Sequence, residues 1–444
     1  MKIHKFFVAL LGLVFACGAF AVDSYAATVS DDNEEWEDWE EEPTTAEDYY
    51  RSLGREHPLF DVVDGYDYQA MVDSANVVLA LFPYDIFSLT HRSRAYFSLG
   101  ENEKCLQDAL KIYCEPHDHP FPSRIVQYFA AIDPAMVKRN LGRYTDYYLA
   151  QPDPALAESC TSPYLLLLAD VDIKLNNRIE AFNVAKIAAN IVTADHTALI
   201  IMASLLMQNG DSEEAINLLK PYVDDLESVS LSVFYNYILA LRDSGKSEEA
   251  YTLYDKVLDY DLDTEMRWRL LSDYACLYAA NGNYGRALPM FDSLVGEIET
   301  VYEEPEMAAY FTNLPELYLR RGIIYSILGD KEKAKYDLTK ALSFTNEEDD
   351  YQGYEATAYA WLGDRENALK WVEIYNKDAL DSTPIFPVYA ILGETEAAIR
   401  DLKHNFDNHL TSPDQIEYDP NSIHLRATPE YKELVKSFKP LPLK

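Results

Sequence analysis

His117 and His119, flanking Asp118 between Pro116 and Pro122, are the closest approach to a metal-ligating constellation in this 444-residue sequence. Two imidazoles one residue apart can share an ion. A polar loop between helices accounts for the same residues, and no metal is expected. The carboxylate pairs Glu213-Glu214 and Glu248-Glu249 stand where helices open, so they offset the N-terminal dipole and do not form acid/base dyads. Gly282 and Gly285 join two helical patterns with no strand before them, which makes a turn and not a phosphate loop. The sequence holds no G-x-S-x-G elbow, H-E-x-x-H pair, P-loop, dinucleotide fingerprint or calcium loop. The expectation is a protein without catalytic residues or cofactor, and hence not an enzyme.

The elements that would position any binding residue are written most plainly between Leu231 and Leu342. Gly245, Gly282 and Gly329 each end an apolar-periodic segment, and Ala250, Ala287 and Ala334 follow five residues later. Glycine supplies the positive φ of a tight helix-to-helix turn, and alanine lets the second helix approach the first. The signal recurs at Gly65, Gly100, Asn176, Gly210, Gly363 and Gly393, in steps of 35, 76, 34, 35, 37, 47, 34 and 30 residues. The 76-residue step has room for a degenerate unit turning at Gly142, and the 47-residue step for an insertion around Gly296 to Pro315.

Paired helices at a period near 34 resemble the tetratricopeptide repeat family, in which each unit must stack on its neighbours to bury its apolar face. The resemblance runs from about Tyr66 to Lys403. It is fullest over Leu317–Leu342, with Tyr318, Gly322 and Tyr325 on one helix, Gly329-Asp330 at the turn, and Ala334, Leu338 and Ala341 on the next. Cys105 departs from the pattern by replacing the alanine after a turn. The resemblance implies an all-α, right-handed α-solenoid of about nine to ten units, an exported bacterial type like those of Bacteroidetes, and binding of a protein or peptide ligand.

In such an array the first helix of each unit lines the inner wall, with residues about thirteen, ten, six, three and two before the turn facing inward. The set includes Ser204 and Gln208, then Tyr235 and Arg242, then Arg269, Ser272 and Cys276. Arginine clamps a carboxylate with paired hydrogen bonds, so Ser204, Gln208, Tyr235, Arg242, Arg269 and Ser272 are expected in a partner-binding groove for an acidic or C-terminal segment. The plainer alternative is that Arg242 and Arg269 balance Asp243 and Asp273.

The flanks carry addresses. Residues 1–21 have a basic start (Lys2, Lys5), an apolar run Phe6 to Ala16 and small residues around Phe20, which is the pattern of a secretory signal peptide. Val14-Phe15-Ala16-Cys17 also resembles a lipoprotein cleavage box, making Cys17 a lipidation candidate, with cleavage after Ala21 or Ala26 as the alternative. Residues 22–50 hold twelve acidic residues and no Lys or Arg, with Trp36 and Trp39 embedded. This is a self-repelling disordered tether or, alternatively, a docking segment for a basic partner.

The repeat array then spans 51–410, irregular at 115–163, and 411–444 caps it, with Tyr431, Leu434 and Val435 closing the apolar end. The formal charge of −37 leaves −27 on the body after +2 for the signal and −12 for the tether. Nucleic acid is excluded as a partner, because it needs a basic face. A membrane would be met only through a lipid on Cys17. Cys105 and Cys276 read as small unpaired residues, whereas Cys114 and Cys160 stand where a bridge is open to either answer. The function expected is an exported, non-enzymatic scaffold in the periplasm or cell envelope. The alternative is a glycan- or nutrient-capture component of an uptake assembly.

Overall fold

The computed structural model describes residues 45–52, 55–60, 62–63, 66–113, 121–149, 162–191, 196–223, 230–260, 262–301, 313–344, 354–377 and 384–443, and every regular element among them is helical. The signal segment, Cys17, all but the end of the acidic tether, the Gly65 turn, Cys114, His117 to His119, and Cys160 lie outside these residues. The chain falls into two compact units, one ending at Ala198 and one beginning at Leu199.

The first unit contains α1 (Ala46–Ser52), α2 (Tyr68–Leu79), α3 (Ile86–Ser98), α4 (Asn102–Lys111), α5 (Phe121–Ile132), α6 (Pro134–Leu149), α7 (Ser162–Lys174) and α8 (Arg178–Ile191). The second opens with α9 (Thr197–Gln208) and α10 (Ser212–Leu219), then α11 (Leu231–Asp243), α12 (Ser247–Leu258), α13 (Thr264–Ala280) and α14 (Tyr284–Val301). It continues with α15 (Leu314–Leu328), α16 (Lys331–Leu342), α17 (Glu355–Leu362), α18 (Arg365–Lys377), α19 (Phe386–Ile391) and α20 (Thr395–Asp407). Three short helices end it: α21 (Pro413–Glu417), α22 (Ile423–Arg426) and α23 (Pro429–Ser437).

One turn builds the hairpins. After α15, Gly329 takes φ 80°, its N–H donates to the Ser326 carbonyl at 3.1 Å, and the Asp330 N–H donates to the Tyr325 carbonyl at 2.9 Å. Those two bonds are the Schellman closure, which satisfies carbonyls that a helix end would otherwise orphan. The same pair of bonds closes the turns at Gly100, Asn176, Gly210, Gly245, Gly282, Gly363 and Gly393, with φ between 58° and 80°. Five residues past each turn stands a small side chain at most 5 % exposed: Cys105, Ala181, Ala215, Ala250, Ala287, Ala334, Ala368 or Ala398. Cys105 fits because Ser93 opposite it is small, and the Ser93 hydroxyl donates to the Cys105 carbonyl at 2.9 Å.

Two expectations are corrected. Gly142 makes no turn; it lies inside α6, and the elbow is at Asp133, whose carboxylate caps α6 by accepting from the Met136 N–H at 2.9 Å. Gly296 is likewise helical. Part of the extra length in the 47-residue step is taken up by α14, 18 residues long against 12 for α16.

Packing inside the hairpins is tight. In the first unit Leu106, Phe129, Val137 and Tyr164 share one buried cluster, and the Tyr164 hydroxyl donates to the Leu110 carbonyl. In the second, Tyr254, Tyr274, Tyr278 and Tyr251 form a stacked ladder between α12 and α13, with successive ring centroids 4.7, 4.7 and 4.4 Å apart. Twice the two helices of a hairpin are tied by a nearly buried ion pair at identical spacing: Arg92 forks onto Asp108 at 2.6 and 2.7 Å, and Arg321 onto Asp337 at 2.7 and 2.8 Å. Both aspartates stand eight residues past their turn glycine. At the chain end Tyr431, Leu434 and Val435 pack with Phe386, Leu402 and Phe406, so α21 to α23 cover the last hairpin.

Gly322 on α15 lies tight against α16. A Cβ on Gly322 would meet Leu338 Cγ at 2.9 Å and Asp337 Cβ at 3.1 Å. Gly322→Ala is therefore expected to cost about 1–3 kcal/mol in urea unfolding through overpacking. An unchanged midpoint would contradict the contact.

Candidate binding surface

The wall residues come from the first helices of successive hairpins in the second unit, α9, α11, α13 and α15. Most of the apolar side chains on these four helices are buried. Ser204 and Gln208 lie half-buried on α9, and Tyr235 lies half-buried on α11. Arg242, in the last turn of α11, is already engaged: its Nε and Nη2 reach Asp243 Oδ1 at 2.7 and 2.6 Å, and its guanidinium lies 5.8 Å from the centre of the Tyr418 ring. Arg269 is exposed at the start of α13. Ser272 is buried and accepts from Asn313 Nδ2 at 3.1 Å, so its hydroxyl serves the approach to α15.

The charged centre of the wall is a set that the five-position rule does not collect. Asp273 and Cys276 on α13 and Glu316 and Arg320 on α15 share a field with Tyr235. Arg320 Nη2 is 2.5 Å from Glu316 Oε1, with both side chains about two-fifths exposed. Asp273 stands nine residues before Gly282, and Arg320 nine before Gly329. Including that ninth position in the register would have found both.

Partial enclosure sets the protonation of these groups. Burial, then Glu316, pushes the Asp273 carboxyl up to about 7, against the pull of Arg320 and Arg269. Burial raises the Cys276 thiol to about 12, so it is no nucleophile near neutral pH. Burial and the Asp273 charge raise the Tyr235 phenol above its ordinary range, and the Arg320 cation is strengthened by Cys276 and Glu316. The arrangement places both signs of charge and several hydrogen-bond donors and acceptors close together on α11, α13 and α15.

The end of this strip near the Gly245 turn meets the chain's own C-terminal segment. Tyr418 Oη would lie 3.7 Å from a Cβ on Gly245, and Asp419 contributes to the field at Arg242. Beneath it Asp243 is fully buried, and its Oδ2 has no hydrogen-bond partner. No sequence signal pointed to that contact. Residues 418 and 245 are distant in the chain, and the segment carries no repeat pattern.

Among the described residues, the tyrosine ladder is packed inside while Tyr66, Tyr84 and Tyr336 are exposed. Tyr251, Tyr254, Tyr274 and Tyr278 are at most 9 % exposed, and Trp268 and Trp371 are buried.

Residues 315–347 match the tetratricopeptide repeat family model, over α15 and α16. No curated protein matches the sequence. Among solved structures, a tetratricopeptide repeat protein from Parabacteroides merdae is similar at 17 % identity, covering 64 % of this chain and 99 % of that one, with a TM-score of 0.37. Yeast Tom70 is similar at 16 % identity, over 88 % of this chain and 87 % of its own, with a TM-score of 0.43.

A raised carboxyl pKa has a measurable sign. Asp273 holds its proton more tightly folded than unfolded, so the stability that proton contributes is present at low pH and lost as pH rises through about 7. Asp273→Asn, which copies the neutral form, is expected to raise Tm by on the order of 2–4 °C at pH 8 and to leave it unchanged at pH 4. Equal melting of the two proteins at both pH values would contradict the assignment.

The hairpin of α15 and α16 thus matches the tetratricopeptide repeat, and the same turn recurs in a chain whose described regular elements are all helical.

Proposed function

We propose that this chain is an exported, non-enzymatic scaffold that holds an extended segment of a partner protein against the wall formed by α9, α11, α13 and α15. The observation that carries the reading is the gathering of Tyr235, Asp273, Glu316, Arg320 and exposed Arg269 on consecutive inner helices, enclosed by protein yet open to solvent. Charges held in a concavity attract a complementary chain more strongly than the same charges on a convex surface. Ser204 and Gln208 extend the strip toward α9. Arg242 is given the lesser part of fixing Asp243 and Tyr418, and Ser272 that of fixing Asn313. The tyrosine-rich composition is spent on packing, which leaves the glycan-capture alternative without an observation in its favour.

Export rests on the basic start, apolar run and small-residue site of residues 1–21, with Cys17 as the lipid acceptor in the anchored form. The natively exported protein should lack at least residues 1–16. A diacylglyceryl adduct on Cys17 in its mass spectrum selects the anchored form, and a start near Val22 or Ala27 the soluble one. An intact Met1 contradicts export.

The wall is tested by affinity purification from native envelopes with wild-type protein and with Arg269→Glu plus Arg320→Glu, both at solvent-accessible positions. Recovery of the dominant partner is expected to fall at least ~10-fold, the equivalent of about 1.4 kcal/mol. Undiminished recovery by the folded variant would contradict the assignment.

A further inference from the structure

The last residues of the chain dock on a hairpin more than two hundred positions earlier, and the contact has the form of ligand recognition. Asn209, 1 % exposed, precedes the Gly210 turn. Its Oδ1 accepts from the Leu441 N–H at 2.7 Å, and its Nδ2 donates to the Leu441 carbonyl at 2.9 Å. A carboxamide that meets both polar groups of one residue reads main chain and not side chain. Asp211 Oδ2 accepts the second Nδ2 proton at 2.6 Å, which fixes which way the amide faces. Next to it the Phe438 ring packs over Gly210, 3.5 Å from where a Cβ would stand, and contacts Phe406 and His409 on its other side. Ser412 Oγ donates to the Met207 carbonyl at 2.8 Å and completes the seat.

Both partners are specialised for this contact. At the other turns the residue before the left-handed position is Leu99, Leu175, Ser244, Asn281, Leu328, Leu362 or Leu392. Asn281, the one other asparagine, turns its Nδ2 back onto the Leu277 carbonyl of its own helix. In the tail, Leu441 stands between Pro440 and Pro442. Proline has no N–H, so Leu441 presents the lone amide donor of that tripeptide, and its carbonyl, which also accepts from the Leu443 N–H at 2.9 Å across Pro442, faces Asn209. Residues 436–444, Lys-Ser-Phe-Lys-Pro-Leu-Pro-Leu-Lys, carry three lysines and no acid at the end of a chain of net charge −37. The seat that Phe438 and Leu441 meet carries Asp211, and Asp414 lies 3.9 Å from the Cβ position of Gly210, while Lys436 pairs with Glu433 on its own helix at 2.6 Å.

We propose that the Asn209-Gly210-Asp211 turn is a binding site for a basic, proline-containing extended segment of the form Phe-x-Pro-Leu-Pro, and that the chain's own tail is its resident, displaceable occupant. The site is separate from the wall around Asp273 and Arg320, and its test does not need the wall's partner. Residues 439, 440 and 442 are exposed, so the occupant is held by Phe438 and the Leu441 main chain and exchanges with a competing segment of the same chemistry.

The probe is a fluorescent synthetic peptide of residues 436–444. It is titrated into full-length protein, into protein ending at Ser437, which keeps α23, and into that shortened protein with Asn209→Ala. The peptide is expected to bind the shortened protein at least ~10-fold more tightly than the full-length one. Asn209→Ala, or Lys→Glu at all three lysines of the peptide, should each cost at least ~10-fold. Equal binding to shortened and full-length protein, or indifference to Asn209→Ala, overturns the site, and indifference to the lysine changes overturns its charge preference. Hydrogen exchange at the Leu441 amide in the full-length chain decides independently of whether the shortened protein folds. Protection that Asn209→Ala abolishes supports the site, and exchange as fast as in the free peptide overturns it.

Discussion

The structure depends on one backbone constraint, a left-handed residue at the end of the first helix of a hairpin that lets two hydrogen bonds close the turn and sends the chain back antiparallel. Eight turns among the described residues obey it, seven with glycine and one with Asn176. Asparagine is the side chain that tolerates this region best. Because the closure is identical each time, the residue five positions on always falls against the first helix, and only a small side chain fits there. Stacking of the hairpins then follows, since each leaves an apolar face that its neighbour must cover.

The wall is what remains after that stacking is satisfied. Apolar residues of α11, α13 and α15 are consumed by their partner helices, and the stripe left over carries Tyr235, Asp273, Cys276, Glu316 and Arg320. Burial moves Asp273 to about 7 and the Cys276 thiol to about 12. A thiol so reluctant to ionise is no nucleophile near neutral pH.

Much of the repeat architecture was legible because backbone geometry restricts residue choice sharply: glycine at the turn and alanine five later are demanded by sterics. Gly142 misled because glycine is permitted in a helix as well as required in a turn, and nothing local separated the two before the Asp133 cap was seen. The wall's register was legible as periodicity, but its pairings were not. Ser272 is claimed by Asn313 and Arg242 by Asp243 and Tyr418, partners set by packing between elements. The union of Leu441 with Asn209 was beyond reach, since a contact across 232 residues leaves no local signature.

The central claim is that the polar strip of the inner helices, and not the outer surface, is where a partner chain lies. Site-specific photocrosslinking tests it most directly, with a benzophenone side chain placed at Tyr235 on the strip or at Tyr336 on α16, which is 62 % exposed. In cells, irradiation should join the partner to position 235 and not to position 336. Adducts formed at 336 alone, or equally at both positions, would contradict the account.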